Sequence, residues 1–104
     1  MKELEITQQQ LQSTTVLSVV GAVDSNTAPE LQAALLRATE APTGSVELDL
    51  AKVSYMSSAG LRALLMAAKA LQKRSERLKV INVPPHIQNV LNLSGFATFI
   101  DVNP

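Results

Sequence analysis

The sequence predicts an α/β fold, an open mixed sheet with an antiparallel hairpin at its start and otherwise mainly parallel strands. Three observations predict it. Hydrophobic residues recur with strand and helix periods in the order strand, strand, helix, strand, helix, strand, helix, strand. Strands separated by helices need right-handed crossovers, which favour parallel pairing, whereas two strands joined directly pair as a hairpin. The core must be aliphatic, because the only aromatics are Tyr55, Phe96 and Phe99 while 46% of the chain is hydrophobic. Crossovers on one side of the strands put all three helices on one face, and a doubly wound arrangement covers both. The residues alone leave these two arrangements open.

Leu4, Ile6 and Gln8 start a first strand, and residues 15–20 read as a second, with the polar stretch 8–13 as the turn. Residues 21–26 read as a loop, after which Thr27-Ala28-Pro29-Glu30 opens a helix. Thr27 is placed to cap it, Glu30 returns the bond three residues later, and Pro29 is tolerated in the first turn. Leu31, Leu35 and Ala38 follow at helical spacing, and Pro42-Thr43-Gly44 ends the element. A third strand over residues 45–50 alternates Val46, Leu48 and Leu50 against Glu47 and Asp49. The clearest helix follows Ser58, with Leu61, Leu64, Leu65, Ala68 and Leu71 on one stripe. Residues 78–83 form a fourth strand, punctuated by Pro84-Pro85. A short helix over 86–93 ends at Gly95, and residues 99–102 form the last strand.

Length and composition narrow the function. The 104 residues are expected to form one domain, 1–104, around a single core. No apolar run approaches the roughly 20 residues of a membrane span. Met1-Lys2-Glu3-Leu4-Glu5 lacks the basic and apolar regions of a secretory signal, so no membrane insertion is expected. Cysteine is absent, which excludes disulfides and thiolate metal sites and suits a reducing, cytoplasmic setting. Zero formal charge and few aromatics argue against direct nucleic-acid binding, through phosphates or through base stacking.

The templates of enzyme chemistry fail in turn. His86 is the only histidine, so a cage of several imidazoles is excluded, and the residue reads as solvated or helix-capping. Ser57 and Ser58 have neither the glycine-flanked turn of a hydrolase nucleophile nor the lysine of a Ser-x-x-Lys pair. Gly21, Gly44, Gly60 and Gly95 are scattered and make no phosphate loop. Asp24, Glu47 and Asp49 lack an evident acid–base partner and read as solvated carboxylates. The chain is read as a non-enzyme, with no catalytic residue, metal or cofactor expected.

The informative stretch is Tyr55-Met56-Ser57-Ser58-Ala59-Gly60-Leu61-Arg62. Its two hydroxyls sit at a strand-to-helix junction, where amides lack partners and the helix dipole is positive. They read as an ordinary serine cap or as an anion site that a phosphate can occupy. At about 100° per residue, Arg62, Lys69 and Lys73 line a solvent stripe opposite the leucines. Ala59, Ala63, Met66 and Ala70 form a small, soft flank beside it, outside the full core. That flank reads as a docking surface, or simply as alanines favoured by helix propensity. Ser58 lies one turn before Arg62, on the same exposed side. A phosphate there, of charge up to about −2, is welcomed by a helix start yet repels an acidic partner and is poorly desolvated at an apolar one.

Two segments together resemble the signature of the STAS domain: Ser45-Val46-Glu47-Leu48-Asp49-Leu50, and Val53-Ser54-Tyr55-Met56-Ser57-Ser58-Ala59-Gly60-Leu61. Gly21-Ala22-Val23-Asp24 is similar to the family's Gly-x-Leu-Asp segment, and Val90-Leu91-Asn92-Leu93-Ser94-Gly95-Phe96 to its C-terminal helix and turn. The resemblance covers nearly the whole chain and is nearest to the single-domain bacterial anti-sigma factor antagonists. It implies helices packed mainly on one face of the sheet. It also implies a phosphoacceptor serine at Ser58, with Ser57 as the alternative acceptor, because Ser57 stands where an aspartate is usual. Ala59 replaces a second Ser or Thr, while Gly60 and Leu61 keep the pattern. Asp24 matches a loop aspartate near the docking site, and it reads equally as a turn residue holding Ser25 and Asn26.

By that resemblance the unphosphorylated chain binds an anti-sigma factor that is also a serine kinase, and so frees a sigma factor. Phosphorylation reverses this and a metal-dependent serine phosphatase restores it; ATP and Mg²⁺ belong to the kinase. The partner surface implied is Asp24, Ser57, Ser58, Ala59, Arg62 and Met66. The alternative is a STAS interaction subunit of a transporter or of a stress-signalling assembly, with no phosphorylation cycle.

Overall fold

Residues 4–40 and 44–103 are described by the computed structural model, and their elements follow the expected order. β1 (Leu4–Leu11) and β2 (Thr14–Val23) form the hairpin. α1 (Ala28–Thr39), β3 (Ser45–Met56), α2 (Ser58–Gln72), β4 (Leu78–Ile81), α3 (Pro85–Leu93) and β5 (Ile100–Val102) follow. The strands lie side by side in chain order, antiparallel in the first pair and parallel thereafter. Because every crossover steps in the same direction, a single hand of crossover sets all the helices on one face. Burial follows that pattern. Leu17, Val19, Val46, Leu48, Leu78 and Val80 are buried, while the alternating Val16, Ser18, Glu47, Asp49 and Lys79 keep contact with solvent.

The core is a single aliphatic cluster. α2 supplies Leu61, Leu64, Ala67, Ala68 and Leu71, α1 supplies Leu31, Leu35 and Ala38, and α3 supplies Ile87 and Leu91. Removing one leucine side chain from water is worth about 1.5–3 kcal/mol, more than the roughly 1 kcal/mol of a helix cap. Packing therefore holds α1 in place even though its expected cap is not made: the Thr27 side chain gives the helix no capping bond.

Several boundaries differ from expectation, each for a physical reason. β1 continues through the glutamines to Leu11, pairing Gln8, Gln9 and Gln10 with Leu17, Val16 and Thr15. Only Gln12 and Ser13 remain as the turn, with Gln12 at a φ of 55°. β2 runs through the expected loop to Val23, and β3 runs past Leu50 to Met56. Both extensions rest on bulges. Ser18 to Val20 spans Asp49 to Lys52, and Gly21 to Ala22 spans Val53 to Tyr55, so β3 twice carries one extra residue. The bulges break the alternation, leaving Ala51-Lys52 and Ser54-Tyr55 as consecutive exposed pairs. β4 stops at Ile81, before Asn82 at a φ of 54°. Phe96–Thr98 forms an unexpected turn of 3-10 helix, so β5 begins at Ile100. The helix end expected at Pro42 and Thr43 lies outside the described residues, as does the opening Met1-Lys2-Glu3.

At the N-terminal ends of the parallel strands, Arg74 acts as a clamp. Its guanidinium donates from Nη1 to the Thr39 carbonyl at 3.2 Å and from Nη2 to the Gly44 carbonyl at 2.9 Å. Thr39 closes α1, so the first bond satisfies one of the carbonyls a helix end leaves open. Gly44 has a φ of 101°, and a side chain there would collide with the Ser13 carbonyl, which accepts a 2.9 Å bond from the Ser45 N–H.

Candidate functional site

The C-terminal ends of β2 and β3 bring two loops together. The Ser57 N–H donates to the Val23 carbonyl at 2.8 Å, placing the serine pair beside the residue that follows Val23, which is Asp24. This is the end of a parallel sheet where loops meet helix starts and where ligands and partners tend to bind.

The two serines play different parts. Ser57 is the extended N-cap of α2, with φ −82° and ψ 173°, and its Oγ accepts from the Gly60 N–H at 3.2 Å. Its carbonyl accepts from the Leu61 N–H at 3.0 Å. Ser58 is the first helical residue and is exposed, and among the described residues its hydroxyl makes no hydrogen bond. One hydroxyl is occupied and the next is free.

Gly60 makes the junction compact. A Cβ at this position would collide with Met56 Sδ and lie 2.7 Å from Val23 Cγ1. Only a glycine lets the first turn of α2 settle against the ends of both strands.

The Asp24 loop is saturated with hydrogen bonds. Asp24 Oδ1 accepts from the N–H groups of Asn26 at 2.8 Å and Thr27 at 3.0 Å, and the Asp24 carbonyl accepts from the Ala28 N–H at 2.8 Å. Bonds from the Thr27 and Asn26 amides hold the Asp24 carboxyl below the usual carboxylate range. The expected Thr27–Glu30 capping box is not formed. Thr27 is buried, and its hydroxyl instead donates to the Ala22 carbonyl at 2.8 Å and accepts from the Asp24 N–H at 2.9 Å. Asp24 takes over the capping duty, so it is the turn residue holding Asn26 and Thr27, though not Ser25.

The remaining sequence-derived residues fall along α2. Ser58, Arg62, Met66, Lys69 and Lys73 are all exposed, and Ala59 and Ala70 are half-buried. Ala63 departs from expectation, being 1% exposed on a helix against which α1 packs. Met66 sits at that helix seam, with Gln32 Nε2 3.2 Å from its sulfur. Among the described residues no group of three or more acidic, histidine or cysteine side chains is placed to hold a metal ion. No helix among them is long and apolar enough to cross a membrane.

Two neighbours of the serines were not singled out as site residues by sequence reasoning. Tyr55 is 54% exposed just before the buried Met56, a position set by the second bulge. His86, exposed at the start of α3, places Nε2 3.1 Å from the Ser54 carbonyl and ties that helix to the same strand end. Both follow from the continuation of β3 beyond Leu50, for which regular alternation gives no signal.

Comparison with known proteins gives the family. The family described as Mlab, STAS domain, matches residues 6–101, and the chain belongs to the STAS domain family. BtrV of Bordetella bronchiseptica, which carries a provisional designation as an anti-sigma factor antagonist, is 31% identical over 99 residues, covering 95% of this chain and 85% of its own. The anti-sigma-B factor antagonist of Staphylococcus epidermidis is 32% identical over 87 residues, covering 84% and 81%. Among solved structures, an anti-sigma factor antagonist from Mycobacterium paratuberculosis superposes with a TM-score of 0.88 at 24% identity, covering 97% of this chain and 86% of that one. These relatives are named as regulatory antagonists rather than as enzymes.

Proposed function

We propose that residues 1–104 form a single STAS domain that works as a cytoplasmic anti-sigma factor antagonist, switched by phosphorylation of Ser58. The observation that carries this reading is the division of labour between the serines. Ser57 spends its hydroxyl on the helix cap, whereas Ser58 presents a free, exposed hydroxyl at the positive end of α2. The names of the sequence relatives support the antagonist role. SpoIIAA, a Bacillus protein of the same fold at 18% identity, is known in unphosphorylated and phosphorylated forms, with TM-scores of 0.79 and 0.74 to this chain.

In this reading the unphosphorylated chain offers Asp24, Ser57, Ser58, Ala59, Arg62 and Met66 to an anti-sigma factor serine kinase. A phosphate on Ser58 is stabilised by the helix start and leaves the core untouched, because the side chain points away from it. At the contact the same charge must be desolvated against the partner, which releases the kinase. A serine phosphatase then restores binding. The chain holds no cofactor, contacts no nucleic acid and inserts in no membrane.

Incubation with the cognate kinase and ATP, followed by mass-spectrometric mapping, tests the reading. Phosphate on Ser58 is expected; phosphate on Ser57 reassigns the acceptor, and phosphate on neither defeats the switch. Ser58→Asp is expected to weaken kinase binding by about tenfold or more while leaving the unfolding midpoint within a degree or two, the usual scale for an exposed position.

A second reading is an interaction subunit of a transporter or stress-signalling assembly, with no phosphorylation cycle. The same fold occurs within a murine anion transporter, with a TM-score of 0.76 over 92% of this chain and 17% of that one at 15% identity. Binding that is indifferent to Ser58→Asp would select it.

A further inference from the structure

The two edges of the sheet are built differently. β5 is three residues long, and the Arg77–Asp101 ion pair at 2.8 Å stands on it. Shortness and charge are the devices by which proteins blunt a sheet edge. β1 has neither. It runs for eight residues, pairs with β2 in unbroken register, and contains no proline, no lysine and one charge, Glu5. Its outer side offers unpaired backbone N–H and C=O groups along a regular strand. Leu11 at its end is 50% exposed.

Beside this edge lies a cleft of about 280 Å³ between β1 and α1, lined by Ile6, Gln8, Leu17, Glu30, Ala34 and Arg37. Glu30, Ala34 and Arg37 stand at i, i+4 and i+7 on one side of α1 above β1, with Ala34 buried and Glu30 and Arg37 exposed to either side of it. This side reads acid, small residue, base. Neither Glu30 nor Arg37 has an ion-pair partner among the described residues, and both are exposed.

We propose that two copies of this chain associate through β1 about a two-fold axis, joining their sheets edge to edge. A strand edge is complementary to its own copy in the antiparallel sense, which is an isologous contact. With the axis at Gln8, Glu5 falls opposite Leu11 of the partner subunit and Ile6 opposite Gln10 of the partner subunit, so no like charges face each other. The same rotation sets α1 antiparallel to its copy. Glu30 then faces Arg37 of the partner subunit, Arg37 faces Glu30 of the partner subunit, and the small Ala34 lies near the axis. The order acid, small, base is thus self-complementary, and it extends the strand contact into a second layer. The serine pair belongs to the β3–α2 junction, away from this edge, so the contact leaves that surface accessible and stands or falls independently of the switch.

The same charges also suit the dipole of an isolated helix, acid at its start and base at its end. Charge exchange separates the two roles. Sedimentation equilibrium of the whole chain across the micromolar to millimolar range should show a mass rising from 11.1 kDa towards the dimer. Arg37→Glu and Glu30→Arg each place like charges across the axis and should weaken association about tenfold or more. The double exchange, Glu30→Arg with Arg37→Glu, is equally self-complementary and should regain most of that loss, even though it opposes the dipole. Circular dichroism of each variant verifies that the fold is intact. Gln8→Lys, which sets two ammonium groups together on the axis, should abolish the dimer while preserving the hairpin. Amide exchange should slow in residues 4–11 as concentration rises. A monomer at every concentration overturns the proposal. So does a double exchange as weak as the single ones, or concentration-dependent protection confined to β5.

Discussion

The two ends of the parallel strands solve the same problem differently. At the N-terminal ends, one long side chain, Arg74, reaches across to bind the Thr39 and Gly44 carbonyls, and the loop is pinned from outside. At the C-terminal ends, short side chains cap their own loops: Asp24 binds the Asn26 and Thr27 amides, and Ser57 binds the Gly60 amide. Local capping consumes polar groups within a few residues of where they arise. It leaves neighbouring side chains such as Ser58, Tyr55 and Arg62 facing solvent, with no structural task that a partner would have to disrupt. The clamped end is built for stability, and the self-capped end is free to be a contact surface.

The comparison can be broken most severely at Gly60. Gly60→Val should destabilise the chain by about 3 kcal/mol, because the new side chain meets Met56 and Val23 in a packed seam. Chemical denaturation would measure this. A loss below about 1 kcal/mol would mean that α2 can lift from the strand ends without penalty. At the clamped end, Arg74→Ala should cost about 1.5–3 kcal/mol, the range for hydrogen bonds from a charged donor, without altering binding at the serine surface. If binding changed as much as stability, the two ends would be coupled.

Smaller effects sharpen the contrast within the self-capped end. Ser57→Ala should lose about 1 kcal/mol with the cap, whereas Ser58→Ala should stay within about 0.5 kcal/mol, both by thermal unfolding. Equal losses would erase the distinction between occupied and free hydroxyl. Asp24 adds a pH dependence. Its folded carboxyl titrates below the ordinary value of 3.8, so the unfolded chain takes up the proton first as pH falls. The stabilisation is fully present above 3.8 and is lost as pH drops through the lower folded value. Asp24→Asn should flatten that part of the acid limb, and an unchanged limb would remove Asp24 from the account.

Much of this architecture is legible in the sequence where one periodicity runs undisturbed. α2 is the clearest case, since its leucines meet a core that nothing else contests. Legibility ends where tertiary contact overrides a local rule. Thr27 and Glu30 satisfy the spacing of a capping box, yet the buried Thr27 hydroxyl donates instead to the half-buried Ala22 carbonyl. Ala63 reads as a flank residue on a helical projection of α2 alone, because nothing in that projection shows α1 lying against it. β3 reads as six residues and is twelve, since each bulge sets two exposed residues side by side where alternation demands one. The residues leave the choice between helices on one face and on both open, because strand order is a global property. The serine pair is visible as a helix start, but its meeting with the Asp24 loop depends on the Ser57-to-Val23 bond, to which only the family resemblance points.

The bulged extension of β3 has a topological consequence. β4 pairs with β3 only from Glu47 to Asp49, so the strand pairing of the bulged extension is made with β2 alone, while Val53 and Met56 anchor it in the core and His86 Nε2 meets the Ser54 carbonyl. The strand neighbour of this segment is β2, which leads directly into the Asp24 loop. The segment has no direct ladder by which to reach β4 or β5.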